Sequence, residues 1–372
     1  MALTLPETII RSATAPCPHF QDCGGCTLQD VAYSEQLRAK KQVLQEMLQR
    51  DVVIHPSPSP YHYRHRMDYI TAFGKVGLRK RGDGKSVVNL GECHLVRDRI
   101  SVLLPRIQEW IEEFGIRGYN LVTNRGDLRF VTFRHAFSSD QLMVILVTSS
   151  RETAIQPLLE RLQNHAESVV WAVQSRHGDD SNGEIQQIYG LESLSQEILG
   201  LQFEITPGCF FQNNLLLTDR LFDEVRNHVS GLLFDLYCGT GVIGLIAAGQ
   251  AERIVGVDSV EENIRVAQRN AERNGITNAS YHLDNTNHFL AFHEGPVPDT
   301  VIVDPPRSGL APKLIRKLNR LAAPKIVYVS CNPTTFLADL EQFEGYELKQ
   351  ATAFDMFPQT PHVEMVTLLE RS

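Results

Sequence analysis

Between residues 231 and 331 the chain repeats one pattern, a short run that stops at a polar residue, then a turn, then an amphipathic stretch. The runs are Leu232–Asp235, Ile254–Asp258, Tyr281–Asn285, Thr300–Asp304 and Lys325–Ser330, and Glu261 to Gly275 reads as a helix closed by glycine. Strands alternating with helices make a doubly wound α/β sheet. In such sheets ligands gather at the carboxyl ends of the strands, where this sequence places Asp235, Asp258, Asp304 and Cys331.

The chain's 372 residues suggest two or three domains. Hydrophobic content of 42% and charged content of 22% fit an ordinary globular protein. No apolar run approaches the ~20 residues that span a bilayer. Met1 to Ala15 lacks the basic start and apolar core of a signal peptide, so a cytoplasmic location without a membrane is expected. Seven cysteines, an odd number, point to reduced, metal-bound or catalytic thiols. A net charge of −8 argues against a polyanion partner for the chain as a whole. Residues 1–130, however, carry 18 Lys and Arg against 14 Asp and Glu, which places any such site in the N-terminal half.

Cys17, Cys23 and Cys26 follow the spacing C-x5-C-x2-C, and Cys93 supplies a distant fourth thiol. The spacing alone allows zinc or an iron–sulfur cluster. Asp30 to Arg50 has helical periodicity, and Pro56, Pro58 and Pro60 form a linker. Tyr61 to Arg81 interleaves basic residues with tyrosines, which suits phosphate contact and base stacking or, equally, a solvated hairpin. Leu128–His135, Leu142–Thr148 and Val169–Gln174 read as strands, and Ala154–Ala166 as a helix. Arg176 to Gly183 is a polar turn with no assigned chemistry.

Gly239, Gly241 and Gly244 form a turn that lets backbone approach a nucleoside, and Asp258 stands where a carboxylate meets ribose hydroxyls. Cys331 ends an apolar run at Asn332-Pro333. A cysteine there is as a rule a buried core thiol, unless its surroundings make it a nucleophile.

Those surroundings carry a resemblance. Phe210-Phe211-Gln212-Asn213-Asn214, Asp235-Leu-Tyr-Cys-Gly-Thr-Gly241, Asp304-Pro-Pro-Arg307, Ser330-Cys-Asn-Pro333 and Glu364 together resemble the bacterial RNA uracil-5-methyltransferases. The resemblance implies an α/β chain with a C-terminal Rossmann-like class I methyltransferase domain at 207–372. Ahead of it would lie an iron–sulfur segment and helix at 1–55, completed by Cys93, and an α+β RNA-recognition region at 56–206. It implies S-adenosyl-L-methionine as cofactor, with Gln212, Tyr237, Asp258 and Asp304 around it. A [4Fe-4S] cluster is implied on Cys17, Cys23, Cys26 and Cys93. Cys331 would add to carbon 6 of uracil and Glu364 would remove the carbon 5 proton. The four cysteines point to the branch that modifies 23S ribosomal RNA. Relatives in that branch often carry a TRAM domain, for which a first cluster cysteine at position 17 leaves no room. The alternatives are a tRNA 5-methyluridine enzyme of the same mechanism, or an iron–sulfur RNA-binding protein with a degenerate methyltransferase fold. No obligate protein partner is implied.

Overall fold

The computed structural model describes residues 3–372. Helix α1 (Tyr33–Leu48) and strand β1 (Val53–His55) come first. There follow β2 (Arg66–Ala72), β3 (Lys75–Lys80), β4 (Asp83–Asn89), α2 (Asp98–Glu113), β5 (Leu128–His135), β6 (Leu142–Thr148), α3 (Gln156–Leu162), β7 (Ser168–Val173) and β8 (Glu184–Gly190). Strands β2 to β8 form a seven-stranded sheet in the order β4-β3-β2-β5-β6-β7-β8. Every residue of β5 and β6 is buried, because both faces are covered. Val144 and Leu146 pack with Ile100 and Ile107 of α2, while Met143 and Ile145 share a core with Leu217 and Leu221 on the other side.

β9 (Leu194–Ile198) and β10 (Leu201–Ile205) form a separate hairpin, followed by α4 (Thr218–Arg226). Then come β11 (Gly231–Leu236), α5 (Val242–Ile246), β12 (Ala251–Asp258), α6 (Glu261–Arg273), β13 (Ala279–Leu283), α7 (Thr286–Ala291), β14 (Thr300–Val303), α8 (Pro312–Leu321), β15 (Lys325–Ser330), α9 (Pro333–Leu340), β16 (Tyr346–Phe354) and β17 (Glu364–Arg371). The hairpin is bound to α6, since Glu204 holds Arg269 and Arg273 at 2.8 and 2.7 Å and its N–H donates to Asn270.

The second sheet has eight strands in the order β1-β16-β17-β15-β14-β11-β12-β13. β15, β14, β11, β12 and β13 run parallel, and β17 runs antiparallel between β15 and β16. The chain departs from β11 toward β12 on one side and β14 on the other, so the crevice of a doubly wound sheet opens above the end of β11. β1, only three residues long, pairs in parallel with β16 and brings the N-terminal part of the chain onto the edge of this sheet. So short a run carries no readable period. Among the described residues no helix is long and apolar enough to cross a membrane.

Candidate active site

At the end of β11 the backbone turns sharply: Tyr237, Gly239 and Gly241 all have positive φ, at 66°, 52° and 79°. At Gly241 a Cβ would stand 2.8 Å from the Tyr281 hydroxyl, so glycine is required there by both conformation and space. Gly244 donates its N–H to Asp235 Oδ2 at 3.0 Å, which ties the start of α5 back to its own strand. The turn walls a cleft of about 410 Å3 whose lining includes Phe210, Gln212, Tyr237, Thr240 and Asp304. The sequence-derived residues Gln212, Tyr237 and Asp304 therefore meet. Asp258 stands behind them, accepting from Gly239 N–H at 3.0 Å, Val260 N–H at 2.9 Å and Asn263 Nδ2 at 3.1 Å. A carboxylate has about four acceptor sites, so roughly one remains for a ligand hydroxyl.

Burial raises the carboxyls of both Asp235 and Asp304 to about 7, Asp258 adding to the first and Asp235 to the second. A carboxyl raised on folding gives stability that is complete below its unfolded pKa and is lost as pH climbs through its folded one. The urea midpoint of the ligand-free protein is expected to fall between about pH 4 and pH 7, and Asp304→Asn should flatten that slope.

Cys331 follows β15 directly and is partly exposed. Its turn is clamped. Ser330 Oγ accepts from the Asn332 N–H at 3.1 Å, and Asn332 Nδ2 donates to the Arg307 carbonyl at 3.0 Å. Asp339 fixes the Arg307 loop from behind, accepting from Leu310 N–H at 2.8 Å and Tyr328 Oη at 2.7 Å. Burial pushes the Cys331 thiol up, Glu364 and Asp304 add to the rise, and Arg307 opposes it. Glu364, 3% exposed, opens β17 opposite Phe354. Burial, then Asp304, drives its carboxyl well above the usual range, again against Arg307. Four groups from three strand ends thus sense one another beside the cleft. Arg307 also donates to His362 Nδ1 at 3.0 Å. Burial and Arg307 hold that imidazole at about 4, so it stays a neutral acceptor.

Two family models match, tRNA (Uracil-5-)-methyltransferase over residues 297–372 and methyltransferase small domain over 200–321. The tRNA (uracil(54)-C(5))-methyltransferase of Pyrococcus furiosus is 36% identical over 360 residues, covering 96% of this chain and 85% of that protein. The chain belongs to the RNA uracil-5-methyltransferase family. An RNA methyltransferase of Caldanaerobacter subterraneus is 34% identical over 98% of this chain and 87% of its own length. The crystal structure of the Pyrococcus abyssi tRNA (uracil-54, C5)-methyltransferase with S-adenosyl-L-homocysteine superposes with a TM-score of 0.82 at 33% identity. It covers 93% of this chain and 86% of that one. The C-terminal sheet is accordingly a class I methyltransferase fold, and the chain is an S-adenosylmethionine-dependent enzyme acting on RNA uracil.

The structure of this family member also places the four N-terminal thiols. Cys17, Cys23, Cys26 and Cys93 line one cavity between the N-terminal loop and the β3–β4 side of the first sheet. Burial, with smaller contributions from neighbouring thiols, raises Cys23 to about 11 and Cys26 to about 12. Among the described residues no group of three or more His, Cys, Asp or Glu forms a metal-ion site.

The basic, tyrosine-rich stretch, open in the sequence between RNA contact and a solvated hairpin, makes several contacts within the chain. Tyr63 and Tyr69 are wholly buried. Arg81 Nη2 donates to the Phe20 and Cys26 carbonyls while its guanidinium stacks 4.7 Å over Phe20. Lys80 pairs with Asp22 at 3.3 Å and Arg79 with Asp179 at 2.9 Å. Arg81 and Lys80 thus tie the β3–β4 hairpin to the cysteine loop, while Arg79 reaches the turn after β7. Arg81→Gln is expected to speed hydrogen exchange across residues 17–31 and to leave the salt dependence of RNA binding unchanged.

Sequence reading passes over His362 and gives Phe210, part of a quoted motif, no role. His362 lies two residues before Glu364, the strand spacing that places side chains on one face. Phe210 is 62% exposed at the cleft, an apolar residue left in water where the chain turns. Asp284 Oδ2 bonds His288 Nδ1 at 2.8 Å, and Asn285 caps the N-terminus of α7.

Proposed function

We propose that this enzyme methylates carbon 5 of a uridine through a covalent adduct on Cys331, with Glu364 as the base. The observation that carries the reading is the gathering of Cys331, Glu364, Asp304 and Arg307 at strand ends beside the cleft. The cleft fits the cofactor: its glycine turn admits close backbone approach, and Gln212, Tyr237 and Asp304 line it, with Asp258 behind. When bound, S-adenosylmethionine supplies an electrophilic methyl group.

Uracil carbon 5 is a weak nucleophile. Attack of the Cys331 thiolate on carbon 6 forms the S–C6 bond and moves the double-bond pair toward carbon 5 and O4, as an enolate that accepts the methyl group. Glu364 then takes the carbon 5 proton. The freed pair restores the C5=C6 bond and expels the thiolate. Arg307 favours the charged form of both Cys331 and Glu364, as each half of this cycle needs. Glu364→Gln is expected to form the methylated adduct and release it at least about a hundredfold more slowly, read as RNA-shifted protein on denaturing gels. Release at the native rate removes Glu364 from the base role.

The cysteine set by itself favours 23S ribosomal RNA. The Pyrococcus proteins named tRNA (uracil(54)-C(5))-methyltransferases, however, are 36% identical over 95–96% of this chain, and that likeness supports a tRNA substrate. We take a transfer RNA uridine as the substrate. Mapping 5-methyluridine by mass spectrometry in cells with and without the gene tests this: loss from tRNA supports it, and loss confined to 23S RNA restores the ribosomal reading.

The four thiols also fit a [4Fe-4S] cluster. The support is the shared cavity that all four line, together with the resemblance in their spacing. Four iron per chain after anaerobic reconstitution supports this assignment, and an iron-free product overturns it.

A further inference from the structure

The loop that leads into Glu364 is held from the N-terminal end of the chain. Residues 355–363 connect β16 to β17. Within this loop Gln359 has φ +68°, a left-handed conformation unusual for a residue with a side chain. Such a conformation persists where surrounding bonds over-determine it. Here they are numerous. The Thr27 and Leu28 N–H groups, immediately after Cys26, both donate to the Gln359 carbonyl, at 2.8 and 3.1 Å. Gln36 of α1 answers from the other side: its Oε1 accepts from the Gln359 N–H at 3.0 Å, and its Nε2 donates to Gln359 Oε1 at 3.0 Å. The same Nε2 reaches the Leu28 and Val31 carbonyls, each at 2.9 Å. Gln36 is 0% and Gln359 2% exposed. Tyr63 Oη donates to the Pro358 carbonyl at 3.0 Å, further fixing the loop.

This cluster of amides touches neither the cofactor cleft nor the reacting groups. It ties the cysteine segment to a loop whose next residues are Thr360, Pro361, His362 and Glu364. We propose that Gln36 and Gln359 are positioning residues that lock the four-thiol segment to the loop presenting His362 and Glu364, so that order in residues 17–31 sets the rate of proton abstraction. The proposal rests on the reading of Glu364 as base. It gives the N-terminal thiol segment a role in a reaction from which its sequence position removes it, because the Thr27–Leu28 backbone that follows Cys26 holds Gln359.

Two steps of the cycle separate this from general bracing. Adduct formation needs Cys331 in place, and adduct release needs Glu364 in place. The full-length Gln36→Leu variant removes four buried hydrogen bonds with little change of volume. Gln36→Glu keeps an acceptor for the Gln359 N–H but loses the donors, and serves if the first variant folds poorly. In both, release of the methylated adduct is expected to slow about ten- to a hundredfold. The rate of adduct formation with 5-fluorouridine RNA should stay within about twofold of the native enzyme. Hydrogen exchange at residues 355–364 should rise in step with the loss of release.

Equal slowing of formation and release would reduce the two glutamines to bracing the fold and overturn the proposal. Faster exchange with native release would overturn it as well. Glu364→Gln decides the underlying reading separately: if that variant releases product normally the base assignment fails, whereas a trapped adduct there with native release in Gln36→Leu sinks only the glutamine lock.

Discussion

Cys331→Ala is expected to abolish turnover, by on the order of 10⁴-fold or more, and to eliminate the covalent complex with 5-fluorouridine RNA. The fluorine at carbon 5 cannot leave as a proton, so the native enzyme should stop as a stable adduct whose mass locates the thiol. The effect is large because no other cysteine shares the thiol's surroundings. Cys209 is buried, Cys238 is buried in the wall of the cofactor cleft, and the remaining four line a separate cavity. Alanine leaves the clamp intact, since Ser330, Asn332 and the Arg307 carbonyl bond through atoms that the substitution does not touch. The variant should therefore still bind S-adenosylmethionine with native affinity by calorimetry. An undiminished adduct would refute the assignment of Cys331.

Lys40→Met is expected to destabilise the fold by roughly 3–5 kcal/mol. Lys40 Nζ meets Asp355 Oδ1 at 2.6 Å, and both side chains are wholly excluded from water. Breaking the pair strands a carboxylate in the core, where Asp355 Oδ2 already lacks a partner. The double variant Lys40→Met/Asp355→Leu should recover most of the loss, because two apolar side chains replace the ion pair without leaving a charge. Urea unfolding of the single and double variants measures both. A single variant within about 1 kcal/mol of native would mean that the buried pair adds nothing net to the fold. Asp355 begins the loop that Gln359 belongs to, so α1 grips both it and Gln359.

Much of the C-terminal half is legible from its residue order alone. Val301, Ile302 and Val303, or Ile326 to Val329, are buried on both faces, and a strand buried on both faces must be an unbroken apolar run. Where such a run stops, the sheet stops, which is why position alone puts Asp304 and Cys331 at the cleft rim. β5 and β6 are legible for the same reason. The basic stretch stays open between two readings in the sequence because composition does not say which way a side chain points. Tyr63 and Tyr69 face a core, and Arg81 is consumed by carbonyls of the cysteine loop. β1 and β16 leave no such signal; one is too short to show a period, and their pairing is decided by contact between the ends of the chain.

Local rules of apolar runs, positive φ and spacing are enough to specify the α/β sheet, the glycine turn, the thiol at a strand end and the set of four N-terminal cysteines. Packing in three dimensions was needed to bring Arg307 to His362, to brace the glycine turn with Asp258, and to let Gln36 grip Gln359 across 323 residues of sequence. A hydrogen bond between such distant groups leaves no periodicity in either segment, because its cause is the burial of two amides that must satisfy one another once water is excluded.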